Sequence, residues 1–289
     1  MDERLIAVIG ATGATGKHLP PRLAARGLNI RYLTRDAGAA RATIGPDAEI
    51  VEASLDDRAS LERAFADAHT LYLNSGHSPA LEAQQTNAIE AAKAAGIERI
   101  VKLSGNIDSP APIPEAHKAL EGKIRASGLR HTFLRPNFFM SNLYYVAAGL
   151  TQSDSFTSAI PRDVKISMTD PRDVADLAAV VIAEDSGHDG EGYYQTGKAL
   201  SLDEVASIFS DVLGRAIRYE QVDVETWEEM VTGRGLPPWL IEHQVKMIGF
   251  AANGAYAYET NATEDIVGHP KRTLEEFIRD HADAFAKTG

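Results

Sequence analysis

Gly10-Ala11-Thr12-Gly13-Ala14-Thr15-Gly16 is the stretch of this 289-residue chain whose residue types and spacing most directly imply chemistry. It follows a short apolar run and precedes a helix-forming one. In that setting glycine permits a tight turn, lets the backbone approach a pyrophosphate, and brings the helix close to a sheet. The N–H groups of Gly10, Thr12, Gly13, Ala14, Thr15 and Gly16 would then face phosphates at a helix N-terminus. A Walker A loop is excluded, because Ala11 stands where that pattern needs glycine and His18 where it needs serine or threonine.

A second signal sits roughly 20 residues further on, where a dinucleotide site reads the adenosine ribose. Leu33-Thr34-Arg35-Asp36 arrives there. Arg35 can hold a 2′-phosphate through its planar fork of donors, which predicts NADP(H). Asp36 is the rival, and would select NAD if it pointed inward.

Other chemistries are absent. The chain has no cysteine, so it carries no disulfide, thiolate nucleophile or zinc–thiolate site. Its nine histidines show no HxxxH or H-E-x-x-H spacing, and no metal site is expected. No G-x-S-x-G elbow surrounds Ser104, which argues against a hydrolase. The pairs Asp56/Asp57 and Asp170/Asp173 stand at helix starts, where capping accounts for them.

The elements that must position these residues alternate. Leu5–Ile9, Asn29–Thr34, Glu49–Ala53, Thr70–Leu73, Arg99–Leu103 and His131–Leu134 read as strands. Between them lie helical stretches ending near Arg26, over Ser60–Ala68, over Pro79–Ala95 before Gly96, and over Ala116–Ala126 before Gly128. Strands and helices at this spacing predict right-handed βαβ units. Pro20-Pro21 predict a kink or a delayed helix start. Beyond about residue 140 the alternation loosens. A helix opens at Asp170-Pro171, a strand covers Gly192–Thr196, and Ser201-Leu-Asp-Glu204 is a capping box for a helix to Leu213. The expected fold is α/β: a Rossmann-type doubly wound parallel sheet over residues 1–150, with a small α+β substrate region over 151–289 interleaved with it.

The net charge of −12 opposes general nucleic-acid binding, and no 18-residue apolar run predicts a membrane span. Met1-Asp-Glu-Arg4 lacks a basic leader, so the chain is expected in the cytoplasm. An anionic ligand must be held by local donors. Phe138, Phe139, Tyr144, Tyr145, Trp239 and His243 are candidates for an apolar wall, with Trp239 and His243 four apart on one helix face. Such a wall suits a small apolar or aromatic substrate.

Together Gly10–Gly16, Thr34-Arg-Asp36, Val101-Lys-Leu-Ser104, His117-Lys118 and Leu134-Arg-Pro-Asn-Phe-Phe-Met-Ser-Asn142 resemble the NmrA-like group of atypical short-chain dehydrogenases/reductases. Asp170–Ala175 and Gly192–Gly197 extend the likeness into the C-terminal half. The resemblance implies an NADP-binding domain and a small substrate region. It also implies a choice among quinone reductases, azoreductase-like enzymes, isoflavone-reductase relatives and non-catalytic redox sensors that act through a protein partner. By position, it implies adenine contacts at Ser54-Leu55 and pyrophosphate and ribose contacts at Asn74-Ser75-Gly76. It places Ser104 where the dehydrogenase serine stands, Lys118 on the nicotinamide ribose, and Pro136-Asn137-Phe138 beside the nicotinamide. A homodimer is compatible with the sequence, which does not specify the oligomeric state.

One departure stands out. Short-chain dehydrogenases carry Tyr-x-x-x-Lys, the tyrosine serving as acid. Four residues before Lys118 this chain has Pro114. Without that phenol, hydride transfer to an electron-poor acceptor such as a quinone or azo compound is favoured over alcohol–ketone chemistry. Lys118 is the replacement acid implied by the isoflavone-reductase likeness, for which an activated C=C or ether bond would be the substrate. His117, one residue away, is expected on the helix surface.

Overall fold

A computed structural model describes residues 4–287; Met1–Glu3, part of the leader reading, and the last two residues lie outside the described residues. The strand predictions translate into a seven-stranded parallel sheet. Its elements run β1 (Leu5–Ile9), α1 (Leu19–Ala24), β2 (Asn29–Thr34), α2 (Ala37–Ile44), β3 (Glu49–Glu52), α3 (Arg58–Ala64), β4 (Ala68–Leu73), α4 (Leu81–Ala94), β5 (Arg99–Leu103), α5 (Pro112–Ser127) and β6 (Arg130–Pro136). There follow β7 (Phe138–Phe139), α6 (Ala147–Ser153), β8 (Ser155–Ser158), β9 (Lys165–Thr169), α7 (Pro171–Ala183) and β10 (Gly192–Gln195). The remainder comprises β11 (Ala199–Ser201), α8 (Leu202–Leu213), β12 (Arg218–Gln221), α9 (Val224–Gly233), α10 (Pro238–Ala252), α11 (Ala262–Val267) and α12 (Leu274–Asp280).

The sheet order is β10-β6-β5-β4-β1-β2-β3, every pair parallel. Strand order reverses between β1 and β4, the place where open α/β sheets bind ligands beyond their carboxyl ends. All five residues of β1 and of β5 are buried, since helices cover both faces; β1 is apolar throughout, whereas β5 also buries Arg99 and Lys102. One face packs on α3, α4 and α5 through Leu61, Ile89, Leu120 and Ile124; the other on α1 and α7 through Leu19, Leu23, Val174 and Leu177. The second half is tied into this sheet. β10 pairs with β6, while α8, α10 and α12 enclose a separate core around Phe156, Phe209 and Phe277.

Two helix starts are set by prolines, the first as the delayed start expected at Pro20-Pro21 and the second earlier than expected. A 3-10 turn covers Gly16–His18, and α1 begins at Leu19, so Pro20 and Pro21 fall in its first turn and no kink is needed. Likewise α5 begins at Pro112 rather than near Ala116, with Pro112 and Pro114 in the turn that requires no intrahelical N–H. No helix among the described residues is long and apolar enough to cross a membrane.

Candidate active site

The carboxyl ends of β1, β2, β4 and β5 open into a cleft of about 960 Å³. Its floor is the glycine turn. Gly10 has φ +87°, and a Cβ there would stand 2.6 Å from the Asn74 carbonyl. At Gly16 a Cβ would meet Gly10 O at 1.8 Å, so this glycine packs beneath the loop and does not line the cleft. Gly13 is open, its nearest neighbour for a Cβ being Gly10 O at 3.5 Å. Thr12, Gly13, Ala14 and Thr15 line the cleft, and among the described residues the amides of Thr12, Ala14 and Thr15 meet no backbone acceptor. Those orphan donors fit a bound pyrophosphate.

At one end Arg35 is exposed, borders both this cleft and a smaller hollow against α2, and has no ion-pair partner among the described residues. Asp36 is engaged elsewhere: its side chain caps α2, accepting from Ala39 N at 2.9 Å. Ser54 and Leu55 line the same end; Asn87 Nδ2 donates to Leu55 O at 2.9 Å and holds that loop. Asn74, Ser75 and Gly76 follow β4 along the middle of the cleft.

At the other end, Ser104 stands after β5, half-enclosed by Phe139 and by Trp239 and Leu240 at the start of α10. Ser104 Oγ donates to Glu121 Oε1 at 2.8 Å. Tyr144 also lines the cleft, stacked on Phe285 with centroids 5.6 Å apart.

Four expectations need correction. Lys118 is exposed and does not line the cleft. The buried face of α5 is Ile113, His117, Leu120, Glu121 and Ile124, at helical spacing, which turns Lys118 outward and His117 inward. His117 is therefore no surface residue: it is 4% exposed and lines the cleft. Pro136, Asn137 and Phe138 lie outside the lining. Asn137 instead clasps the C-terminal half, its Nδ2 donating to Ser167 Oγ at 2.7 Å and to Tyr256 O at 3.1 Å, while Phe138 packs on Tyr256. His243 is half-buried on α10 behind the cleft wall, with Nδ1 unpartnered, and burial pushes its pKa down to about 4.

Sequence reasoning missed Lys102 as well. This lysine lies in the middle of β5, fully buried, with Nζ 3.1 Å from His117 Nδ1. The signals were present: a lysine inside an apolar strand, and His117 four residues before Glu121 on one helix face.

A family model described as the NmrA-like family matches residues 2–278. The chain is 32% identical over 288 residues to (4-alkanoyl-5-oxo-2,5-dihydrofuran-3-yl)methyl phosphate reductase of Streptomyces griseus, covering 98% of this chain and 99% of that protein. It is 29% identical over 285 residues to an NAD(P)H azoreductase of Xenophilus azovorans, with 97% and 99% covered. A solved structure of an NADPH-dependent quinone oxidoreductase from Escherichia coli, complexed with NADPH, matches with a TM-score of 0.87 at 27% identity, covering 96% of this chain and 99% of that one.

Proposed function

The chain belongs to the NmrA-like family, and on that footing we propose that it is an NADPH-dependent oxidoreductase delivering hydride to a small activated acceptor of the quinone or azo class. The observation that carries this reading is the single cleft joining Arg35 and the free amides of the glycine turn to a partly aromatic chamber at Ser104, His117, Phe139 and Trp239. Relatives that reduce azo compounds and quinones with NAD(P)H support it. When bound, the dihydronicotinamide supplies the hydride; the chain supplies everything else.

Thr12, Ala14 and Thr15 present amides to the pyrophosphate, and Arg35 takes the 2′-phosphate. Ser104 has one hydroxyl proton, given to Glu121, so toward the cleft it offers lone pairs. It orients a donor, such as a carboxamide, rather than acting as an acid. Phe139, Trp239 and Leu240 exclude water and hold a flat acceptor. Pro114 is buried in α5, so no phenol stands at the position of the dehydrogenase tyrosine. Lys118 is exposed outside the cleft lining, which favours an acceptor that needs no acid from that lysine.

The test is NADPH oxidation by the purified chain across a panel of quinones, azo dyes and ketones. Turnover of quinones or azo dyes, with ketones inert, is expected. Tight NADPH binding with no turnover of any acceptor would instead favour the redox-sensor reading.

A further inference from the structure

A buried lysine links the two sides of the chamber. Lys102 Nζ donates to Gln85 Oε1 at 2.6 Å and to the Leu103 carbonyl at 3.1 Å. Both partners only accept. The third contact is His117 Nδ1 at 3.1 Å. With Lys102 as an ammonium, its three N–H bonds match these three acceptors, and in that state Nδ1 accepts and the imidazole proton sits on Nε2. The Gln85 amide is fixed in the same sense, since its Nε2 donates to Ser75 Oγ at 2.8 Å. His117 Nε2 has no hydrogen-bond partner among the described residues, and the ring lines the cleft together with Ser104. A neutral imidazole thus presents N–H to the chamber, backed by a buried cation.

We propose that His117 delivers, from Nε2, the proton that completes reduction of the acceptor, and that Lys102 replaces it through Nδ1. The inference rests on the reductase reading above. Hydride from the dihydronicotinamide forms the new bond to one acceptor atom and leaves an electron pair on the other, a quinone oxygen or the distal azo nitrogen. That atom takes the Nε2 proton while Lys102 passes one of its own to Nδ1. The imidazole ends in its other neutral tautomer, and the lysine ends as a neutral amine. After product leaves, water returns a proton to Nε2 and the Nδ1 proton goes back to Lys102.

The surroundings suit this role. Burial pushes the Lys102 ammonium down to about 7, opposed by Glu121. An acid near the working pH transfers protons most effectively. The charged and titratable groups facing the pair are Glu121 on α5, His77 after β4 and His243 on α10. His77 stands edge-on to His117 at a centroid distance of 6.0 Å.

The experiment compares two acceptors. An azo dye needs hydride and a proton; a cationic triarylmethane dye is neutralised at carbon by hydride alone. In His117→Gln and in Lys102→Met the azo-to-triarylmethane rate ratio is expected to fall about a hundredfold, the scale of positioned acid catalysis. Equal slowing with both dyes, or an unaltered ratio, overturns the relay. A second readout needs no turnover: 15N NMR of the imidazole in the cofactor-free protein should show His117 neutral with its proton on Nε2, and Lys102→Met should let it titrate nearer the ordinary value. An Nδ1–H tautomer in the wild-type protein overturns the proposal. No NADPH oxidation by the wild-type chain with quinones or with either dye sinks the reductase reading itself, and the relay with it.

Discussion

Ser104 Oγ hands its only proton to Glu121 Oε1 across 2.8 Å, and Glu121 is fully buried. The carboxylate is held in turn by Arg135, whose Nε and Nη2 donate at 2.9 and 2.5 Å, and by Arg125 at 2.9 Å. One hydrogen-bonded chain therefore fixes the hydroxyl as an acceptor toward the cleft. Ser104→Ala should cost about 1 kcal/mol of binding or transition-state energy, roughly a five- to tenfold fall in kcat/KM for NADPH, and not the larger loss of a missing proton donor. Glu121→Ala leaves two arginines unpaired, Arg135 largely buried, and is expected to lower unfolding free energy by about 3–5 kcal/mol in urea titration.

Arg35 and Asp36 are adjacent but divided in role. Because Asp36 caps α2, its carboxylate is engaged there, whereas Arg35 has no ion-pair partner among the described residues and borders the cleft. Arg35→Ala should weaken NADPH about tenfold to a hundredfold, the worth of charge-assisted hydrogen bonds, and weaken NADH far less. Titration of intrinsic fluorescence with each nucleotide checks it. Equal losses for both would remove Arg35 from the 2′-phosphate site.

The glycine turn offers a separation of folding from binding. Gly16→Ala puts a methyl 1.8 Å from the Gly10 carbonyl, backbone against backbone, so the turn must shift and thermal unfolding should come several degrees lower. Gly13→Ala meets nothing closer than 3.5 Å, at a position that lines the cleft. That variant should keep its melting temperature and lose cofactor affinity, checked by scanning calorimetry with and without NADPH.

The sheet was legible because β1 is an apolar run and β4 and β5 are largely apolar stretches between helices, and the glycine turn because its spacing only works after a strand. What failed was rotational phase. Placing the start of α5 near Ala116 ignored that Pro112 and Pro114 are welcome in a first turn, and without the true start the inward face was open to misreading. The expectation then puts Lys118 inward and His117 on the surface, although Ile113, His117 and Glu121 share the buried face at i, i+4 spacing. Lys102 reads simply as part of a strand, but a lysine in a strand buried on both sides has to be satisfied by neighbours from other helices, and single-chain periodicity does not reveal them. Asn137 went astray for a related reason: its partners Ser167 and Tyr256 come from distant sequence.

Four histidines contribute to the acid limb of stability; one of them, His77, is lowered by burial and by Lys102. Burial, reinforced by Lys17 and Arg22, holds His18 down at about 4; burial and His77 do the same for His243; burial and Lys102 hold His117 well below its ordinary value. His18, His117 and His243 are neutral in the fold at pH 5 and protonated in the unfolded chain below about 6.5. Between about 6.5 and 4 the unfolded state therefore binds more protons, so stability is full above that window and falls as pH drops through it. The ceiling is about 1.4 kcal/mol per pH unit for each histidine, less for the partly exposed His18. Asp176, whose carboxyl is held low by Arg22 and Arg272 against the opposing effect of burial, begins to contribute only below this window. His243→Leu should flatten the slope of urea midpoint against pH by up to one histidine's share. It should also raise stability at pH 7, because the buried, unpartnered Nδ1 is removed. An unchanged slope between pH 6.5 and 4 would show that His243 is protonated alike in both states.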